Sequence, residues 1–351
     1  MALEPVDIHF PQSQLDDLQR RLENIRWPAR PDGYGWTRGT EHAALRDIVH
    51  YWKTDFSWRQ QEKSLNQFAH YRSQIAGNDI HFIHETGKGP APLPLILTHG
   101  WPDSFTRYQK VIPMLADPAR YGGDPQDAFH VVVPSVPGFG LSRGQPTAGI
   151  NNAAVARLWH SLMTDVLGYN TFGAGGGDIG SGVTRCLAMA YPEALMGIHL
   201  TDIGIIRPLL MAAPDGLTAE EAQYAAAVRE WIQNEGAYMS LQATKPQTLF
   251  WALNDSPVGL ASWILEKFMA WGDCQGRLVN GFSYDELLTN ITLYWLTGTA
   301  GSAANIYYEN MHGLPPVDTG NVPVGMAQFA ADILPPAQTL GRKTPEYHPL
   351  G

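Results

Sequence analysis

The sequence predicts a doubly wound α/β domain: a mostly parallel sheet with helices on both faces, a helical cap and an N-terminal wrapping segment. Three observations predict it. Short continuous apolar runs, Leu95–Leu97 and FHVVVP at 129–134, have strand length and read as strands covered on both faces. They alternate with helical periodicities, as at 152–167, where Val155, Leu158, Leu162 and Val166 recur. The alternation then lapses over 206–309, where helical patterns follow one another.

In chain order, SQLDDLQRRLEN at 13–24 places Leu15, Leu18 and Leu22 on one helical face, with Ser13 as its cap. An aromatic-rich stretch with Trp52, Phe56 and Trp58 runs to about residue 70 and reads as packing on the main domain. DIHFIH at 79–84 alternates like a strand after a Gly77–Asn78 turn. Thr171–Ala174 reads as a strand, 178–191 as a helix and GIHLTD at 197–202 as the next strand. Thr218 and Glu221 form a capping box opening a helix to about Asn234. Helices follow at 256–271 and 284–296, and VPVGMAQF at 322–329 returns to the sheet. The expected units are therefore 1–70, a core at 71–205, a cap at 206–309 and a return at 310–351, with the core's last strand and helix missing.

Composition narrows the function. The chain has 351 residues and a net charge of −10, which disfavours nucleic acid and anionic membranes as partners. Cys186 and Cys274 lie far apart and match no metal spacing, so a reduced, cytoplasmic protein is expected. No signal peptide, membrane anchor or membrane-length apolar run is read, and a homo-oligomer stays open. His81 and His84, three apart on a strand, face opposite ways, so no metal is expected. No cofactor is expected either.

Residues 175–180, GGGDIG, carry the chemistry and admit three readings. As G-x-G-x-x-G with Asp202 further on, they outline a dinucleotide fingerprint. Several strands precede the turn, however, and Asp178 would repel a pyrophosphate at the helix N-terminus. As small-x-nucleophile-x-small, they form a sharp elbow that exposes Asp178 at the top of the sheet. As a plain Gly-rich turn, they leave Asp178 a helix N-cap. His99-Gly100-Trp101-Pro102, ending an earlier strand, favours the elbow. Such a turn supplies a backbone N–H, here that of Trp101, to pair with that of Ile179 as an oxyanion hole. An Asp nucleophile forms an alkyl ester by displacement at saturated carbon, which suits epoxides and alkyl halides.

Further segments make the pattern specific. FPQSQLDDLQRRLENIRWP at 10–28, GGDPQDAFHVVVPSVPGFGLS at 122–142, YMSLQATKP at 238–246, NDSP at 254–257, LLTNITLYWLTGT at 287–299 and YYEN at 307–310 join HGWP and GGDIG. Over nearly its whole length the chain resembles the microsomal-type epoxide hydrolases of the α/β-hydrolase superfamily. The resemblance implies Asp178 as nucleophile, Tyr238 and Tyr307 as ring-opening donors, and Asp332 as charge-relay acid, where the family usually has Glu. It implies a small hydrophobic epoxide and water as substrates and no cofactor. It also implies a histidine base in a GGHFAA-type motif beyond the acid. That motif is absent; His348, in EYHPLG, is the one histidine after Asp332 and does not match it, so the base is left unassigned. Two alternatives follow. One is a catalytically impaired homologue, its histidine truncated or lost, that binds or is alkylated by hydrophobic molecules. The other is a haloalkane dehalogenase, which needs Trp or Asn halide donors where this chain has tyrosines. Trp251, Trp263, Phe268 and Trp271 suggest an apolar pocket, although helix-spaced aromatics more often form core.

Overall fold

A computed structural model describes residues 2–29, 33–142, 148–201, 217–314 and 321–334, and the backbone of 347–348. Among the described residues nine strands form one sheet: β1 (Glu4–Pro5), β2 (His70–Ile75), β3 (Asn78–Glu85), β4 (Leu93–Thr98), β5 (Phe129–Pro134), β6 (Phe172–Gly176), β7 (Leu195–Leu200), β8 (Val324–Met326) and β9 (Tyr347–His348). Their order is β1-β2-β3-β5-β4-β6-β7-β8-β9; the pairs from β1 to β5 are antiparallel and the rest parallel.

The strands form where the apolar runs predict, and their period of two explains the core. Phe82, Ile96 and Val132 point into one cluster, while their neighbours Ile83, Leu97, Val131 and Val133 point into another on the opposite face. Both faces are covered, as continuous apolar strands require.

Thirteen α-helices accompany the sheet among the described residues. They are α1 (Gln12–Glu23), α2 (His42–Thr54), α3 (Trp58–Leu65), α4 (Ile112–Ala116), α5 (Asn152–Ser161), α6 (Ile179–Ala190), α7 (Ala219–Glu235), α8 (Ala237–Thr244), α9 (Pro246–Asp255), α10 (Pro257–Trp271), α11 (Leu278–Gly281), α12 (Tyr284–Thr297) and α13 (Ala300–Gly313). The Thr218–Glu221 capping box is present in both halves. The N-terminal helices brace the cap: α1 and α2 pack on α10, and α2 and α3 pack on α12.

Some local expectations change. Pro11, whose fixed φ suits helix entry, occupies the N-cap of α1 rather than Ser13, which lies inside the helix. The β2–β3 hairpin turns on Ala76 and Gly77, both left-handed, and Asn78 already pairs with Ile75. The strand expected over 197–202 runs from Leu195 to Leu200, and Asp202 lies outside the described residues. The strand expected over 322–329 shortens to three residues, β8, preceded by Pro323, which has no N–H and bonds to β7 through its carbonyl alone. The sheet does not stop there, as the sequence suggested. Tyr347 and His348 pair in parallel with Val324 and Gly325, giving the β8 edge backbone partners.

The topology also places the site. β4 leads to β5 on one side, whereas its neighbour on the other side is β6. Loops leaving adjacent parallel strands diverge at such a switch point and open a crevice at their carboxyl ends. Thr98 is in register with Gly176, so HGWP and GGDIG leave the sheet side by side.

Candidate active site

Asp178 stands between β6 and α6 with φ 55° and ψ −124°. That region costs a non-glycine residue about 1–3 kcal/mol and is kept where surrounding packing enforces it. The enforcement is visible. A Cβ on Gly180 would overlap the Thr98 carbonyl oxygen, and one on Gly100 would overlap the Asp178 carboxyl, so the two loops touch only because both positions lack side chains. The Asp178 side chain makes no capping hydrogen bond to its own helix. Its Oδ1 accepts instead from the Trp101 N–H at 2.8 Å. Ile179, the next residue, opens α6, whose first-turn N–H groups point toward the same end. The residue is solvent-exposed.

The HGWP loop is fixed from several sides. The buried His99 ring lies 3.0 Å by Nδ1 from the Gly100 carbonyl and accepts from the Val136 N–H through Nε2. Burial holds its pKa down at about 4, so it is neutral at pH 7. The Tyr108 hydroxyl donates to the Thr98 carbonyl at 2.9 Å, and the Trp159 indole donates to the Thr98 hydroxyl at 3.1 Å. From the cap, Asn290 Nδ2 donates to the Pro102 carbonyl at 2.8 Å and the Tyr294 hydroxyl to the Asp103 carbonyl at 2.7 Å. These two bonds account for the NITLY part of the 287–299 motif, since Asn290 and Tyr294 are four residues apart and hence on one face of α12.

Above Asp178 the cap supplies phenols. Tyr238, from α8, stacks on the Trp101 indole with centroids 5.2 Å apart and planes 7° apart. Tyr307, from α13, meets Trp101 edge-on at 5.9 Å and Tyr238 at 6.0 Å. Burial first and the Asp178 charge second push both hydroxyls above the usual phenol range, so both stay protonated near neutrality. For Tyr238, the neighbouring Tyr307 hydroxyl works the other way. The Tyr307 oxygen is buried and makes no hydrogen bond of ordinary geometry. Its hydroxyl is turned toward that of Tyr238, so the two phenols stand together and can both donate to one acceptor that arrives.

The YYEN motif divides its labour by helix geometry. Tyr307 faces inward, whereas Tyr308 is exposed and stacks on His312. Glu309 accepts from the Gly149 N–H at 2.9 Å, and Asn310 exchanges two hydrogen bonds with Asn152, at 2.9 and 3.0 Å. The last two residues thus tie α13 to the start of α5 and set the depth of Tyr307.

Asp332 follows β8 in a turn, half-buried, with Oδ1 accepting from the Ile333 N–H at 2.8 Å. For His348 only the backbone is described. His312 lies exposed at the end of α13, its Nδ1 2.8 Å from the Tyr308 carbonyl. Of the four cap aromatics singled out by spacing, Trp271 alone joins the cluster around Trp101 and Tyr238. Trp251 is exposed, and Trp263 and Phe268 pack into the cap. Sequence reasoning missed Lys267, whose ammonium lies against Tyr238; the adjacent charges Glu266 and Lys267 inside the mostly apolar run PVGLASWILEKFMAW were the available signal. Among the described residues, no cluster of side chains could hold a metal ion and no helix is long and apolar enough to cross a membrane.

A mostly parallel sheet, a strained strand-to-helix elbow and a facing backbone N–H together define an α/β-hydrolase fold. Residues 94–235 match the model of that fold, and residues 3–108 match the epoxide hydrolase N terminus. The chain is 34% identical to epoxide hydrolase 1 of Sus scrofa over 360 residues, covering 95% of this chain and 79% of that protein. The crystal structure of juvenile hormone epoxide hydrolase from Bombyx mori superposes with a TM-score of 0.83 at 26% identity, over 99% of this chain and 87% of that one. The Aspergillus niger epoxide hydrolase gives 0.82 at 28% identity, over 99% and 89%. The chain belongs to the microsomal-type epoxide hydrolase family.

Proposed function

We propose that this protein adds water to an epoxide through an alkyl ester on Asp178, giving a vicinal diol. The observation that carries the reading is the 2.8 Å bond from the Trp101 N–H to Asp178 Oδ1, made in place of a helix cap and beneath two phenols.

In the first step the other carboxylate oxygen attacks an epoxide carbon, and the bond from that carbon to the ring oxygen breaks. The ring oxygen takes a proton from Tyr238 or Tyr307 while accepting a hydrogen bond from the other. Developing alkoxide charge is thus met as it forms by donors already in place. Oδ1 becomes the carbonyl oxygen of the ester, still beside the Trp101 N–H. In the second step water adds to that carbonyl carbon. The oxyanion forms on Oδ1, where the N–H groups of Trp101 and Ile179 serve it; collapse breaks the Cγ–Oδ2 bond and restores the carboxylate, and the two protons of the water end on the departing diol oxygen and on the phenolate left by the first step. Asp332 is the orienting acid for this step; the base that deprotonates the water is unassigned. The partners are a small hydrophobic epoxide and water.

The test is intact mass at short times after mixing with styrene oxide, followed by peptide mapping. An adduct on the peptide holding Asp178, absent in Asp178→Asn, is expected. Turnover by Asp178→Ala at the parent rate, with no adduct, would overturn the reading.

A further inference from the structure

The cap carries a charge that this mechanism does not use. Lys267 is 5% exposed, in α10, where it and its neighbour Glu266 are the charged residues of a mostly apolar helix. An ammonium withdrawn from water needs partners that replace its hydration. Lys267 has the Glu266 carboxylate at 2.5 Å, the Tyr238 ring centroid at 4.8 Å and the Trp271 ring centroid at 5.5 Å. Lys267 and Trp271 are four residues apart and share one face of α10. Trp271 itself lies against Trp101 and Tyr238, with centroids 6.2 and 5.1 Å away. The ammonium therefore belongs to the aromatic cluster that surrounds Asp178.

Ring opening moves charge in one direction. At the start the negative charge is on Asp178, in the core. When the ester forms the carboxylate is neutralised, and the charge passes to the ring oxygen and onward to whichever phenol gives up its proton, in the cap. Charge on a phenol oxygen spreads into its ring. A cation within about 6 Å of the ring centroid is attracted to the ring already and more so as that charge grows. The interaction is stronger in the transition state than in the ground state, which is the condition for it to raise the rate.

We infer that Lys267 is a positioning residue for Tyr238: its ammonium, anchored by Glu266 and held against the Tyr238 ring, makes that phenol the stronger donor to the epoxide oxygen. The inference rests on Tyr238 being a ring-opening donor, as proposed above. It assigns the choice between two otherwise similar phenols to a residue that never touches substrate.

The experiment measures the rate of ester formation with styrene oxide in rapid-quench intact mass, across pH. Lys267→Met keeps the length of the side chain and removes the charge; it is expected to slow ester formation about tenfold. Lys267→Arg keeps the charge and should stay within about threefold of the parent. The alkaline limb of the rate should move to higher pH in Lys267→Met, because the phenol then ionises less readily. In a Tyr238→Phe background, Lys267→Met should cost less than about twofold, since no phenol remains to be assisted. An equal loss in both backgrounds would mean that the residue only packs, and would overturn the inference. So would parent-like rates for Lys267→Met, or equal losses for Met and Arg. If Lys267→Met is unstable, Lys267→Gln removes the charge, keeps a hydrogen-bond partner for Glu266, whose own charge acts on Tyr238 in the opposite sense, and is judged by the same criteria. Parent-like ester formation by Tyr238→Phe alone would sink the donor reading and this inference with it. Slow ester formation by Tyr238→Phe with normal rates for Lys267→Met would sink this inference only.

Discussion

The Trp101 N–H donates to Asp178 Oδ1 across 77 positions of sequence. Two loops from neighbouring parallel strands meet there with nothing between them, and the glycines on either side make the meeting possible. Substituting those glycines separates the geometry of the site from the stability of the fold.

Gly100→Ala places a methyl group where the Asp178 carboxyl lies. The carboxyl must swing away, and a displacement of that kind costs on the order of 10²-fold in rate. Gly180→Ala places its methyl against the Thr98 carbonyl, which is backbone and cannot yield. It should lose about 1–3 kcal/mol of stability, the usual cost of overpacking. Chemical denaturation and styrene oxide turnover of both variants check the pair; a Gly100→Ala enzyme with parent activity would contradict the close approach.

Tyr307→Phe removes a buried hydroxyl that faces the Tyr238 hydroxyl. Its stability should change by no more than about 1 kcal/mol, while ester formation falls on the order of 10²-fold, as expected for a lost donor to the ring oxygen. Tyr308→Phe, one position along and exposed, should stay within about twofold. Equal effects in the two variants would show that Tyr307 has been wrongly chosen.

Asp332→Asn tests the division between the two steps. Ester formation should remain near the parent rate, whereas ester breakdown should slow on the order of 10²-fold. The adduct then accumulates and is read directly by mass. Slowing of both phases together would remove Asp332 from the second step and make its role structural.

Acid should destabilise the protein through its buried histidines. Burial depresses His70, His81 and His99, the last to about 4, below the ordinary 6.5. Below pH 6.5 the unfolded chain takes up protons that the folded chain refuses. Stability is thus full above 6.5 and falls as pH drops toward 4, by up to roughly 3 kcal/mol for His99 alone. Thermal midpoints from pH 7 to pH 4 should trace this fall, and His99→Gln should flatten its slope even if its midpoint is lower throughout. A slope unchanged in that variant would assign the acid sensitivity to other groups.

Much of this architecture was legible in the sequence, and the physical reason is local. Continuous apolar strands, the Thr218–Glu221 box and the Gly-rich elbow each act within a few residues, so β5 and α7 fall where their patterns place them. The site motifs were legible because HGWP and GGDIG end adjacent strands. Long-range contacts were not. β2 carries His70, Tyr71, Arg72 and Gln74, too polar to announce a strand, and forms because β3 lies beside it. Asn290 and Tyr294 looked like ordinary residues of a cap helix, and only the packing of α12 shows that they hold the HGWP loop. Lys267 stood out only as a charge in a mostly apolar helix, and its role stayed hidden because its partner ring belongs to another helix.

Trp101 joins the two halves of the site in an unusual way. Its backbone holds the nucleophile, and its indole is the plate on which Tyr238 rests. The height of the phenol above the carboxylate is therefore gauged by one flat side chain, much as a shim sets the clearance between two machined parts. A thinner or shorter residue at this position keeps the N–H and changes the clearance. The size of ring the enzyme accepts should then be adjustable at a single position, independently of the chemistry on either side.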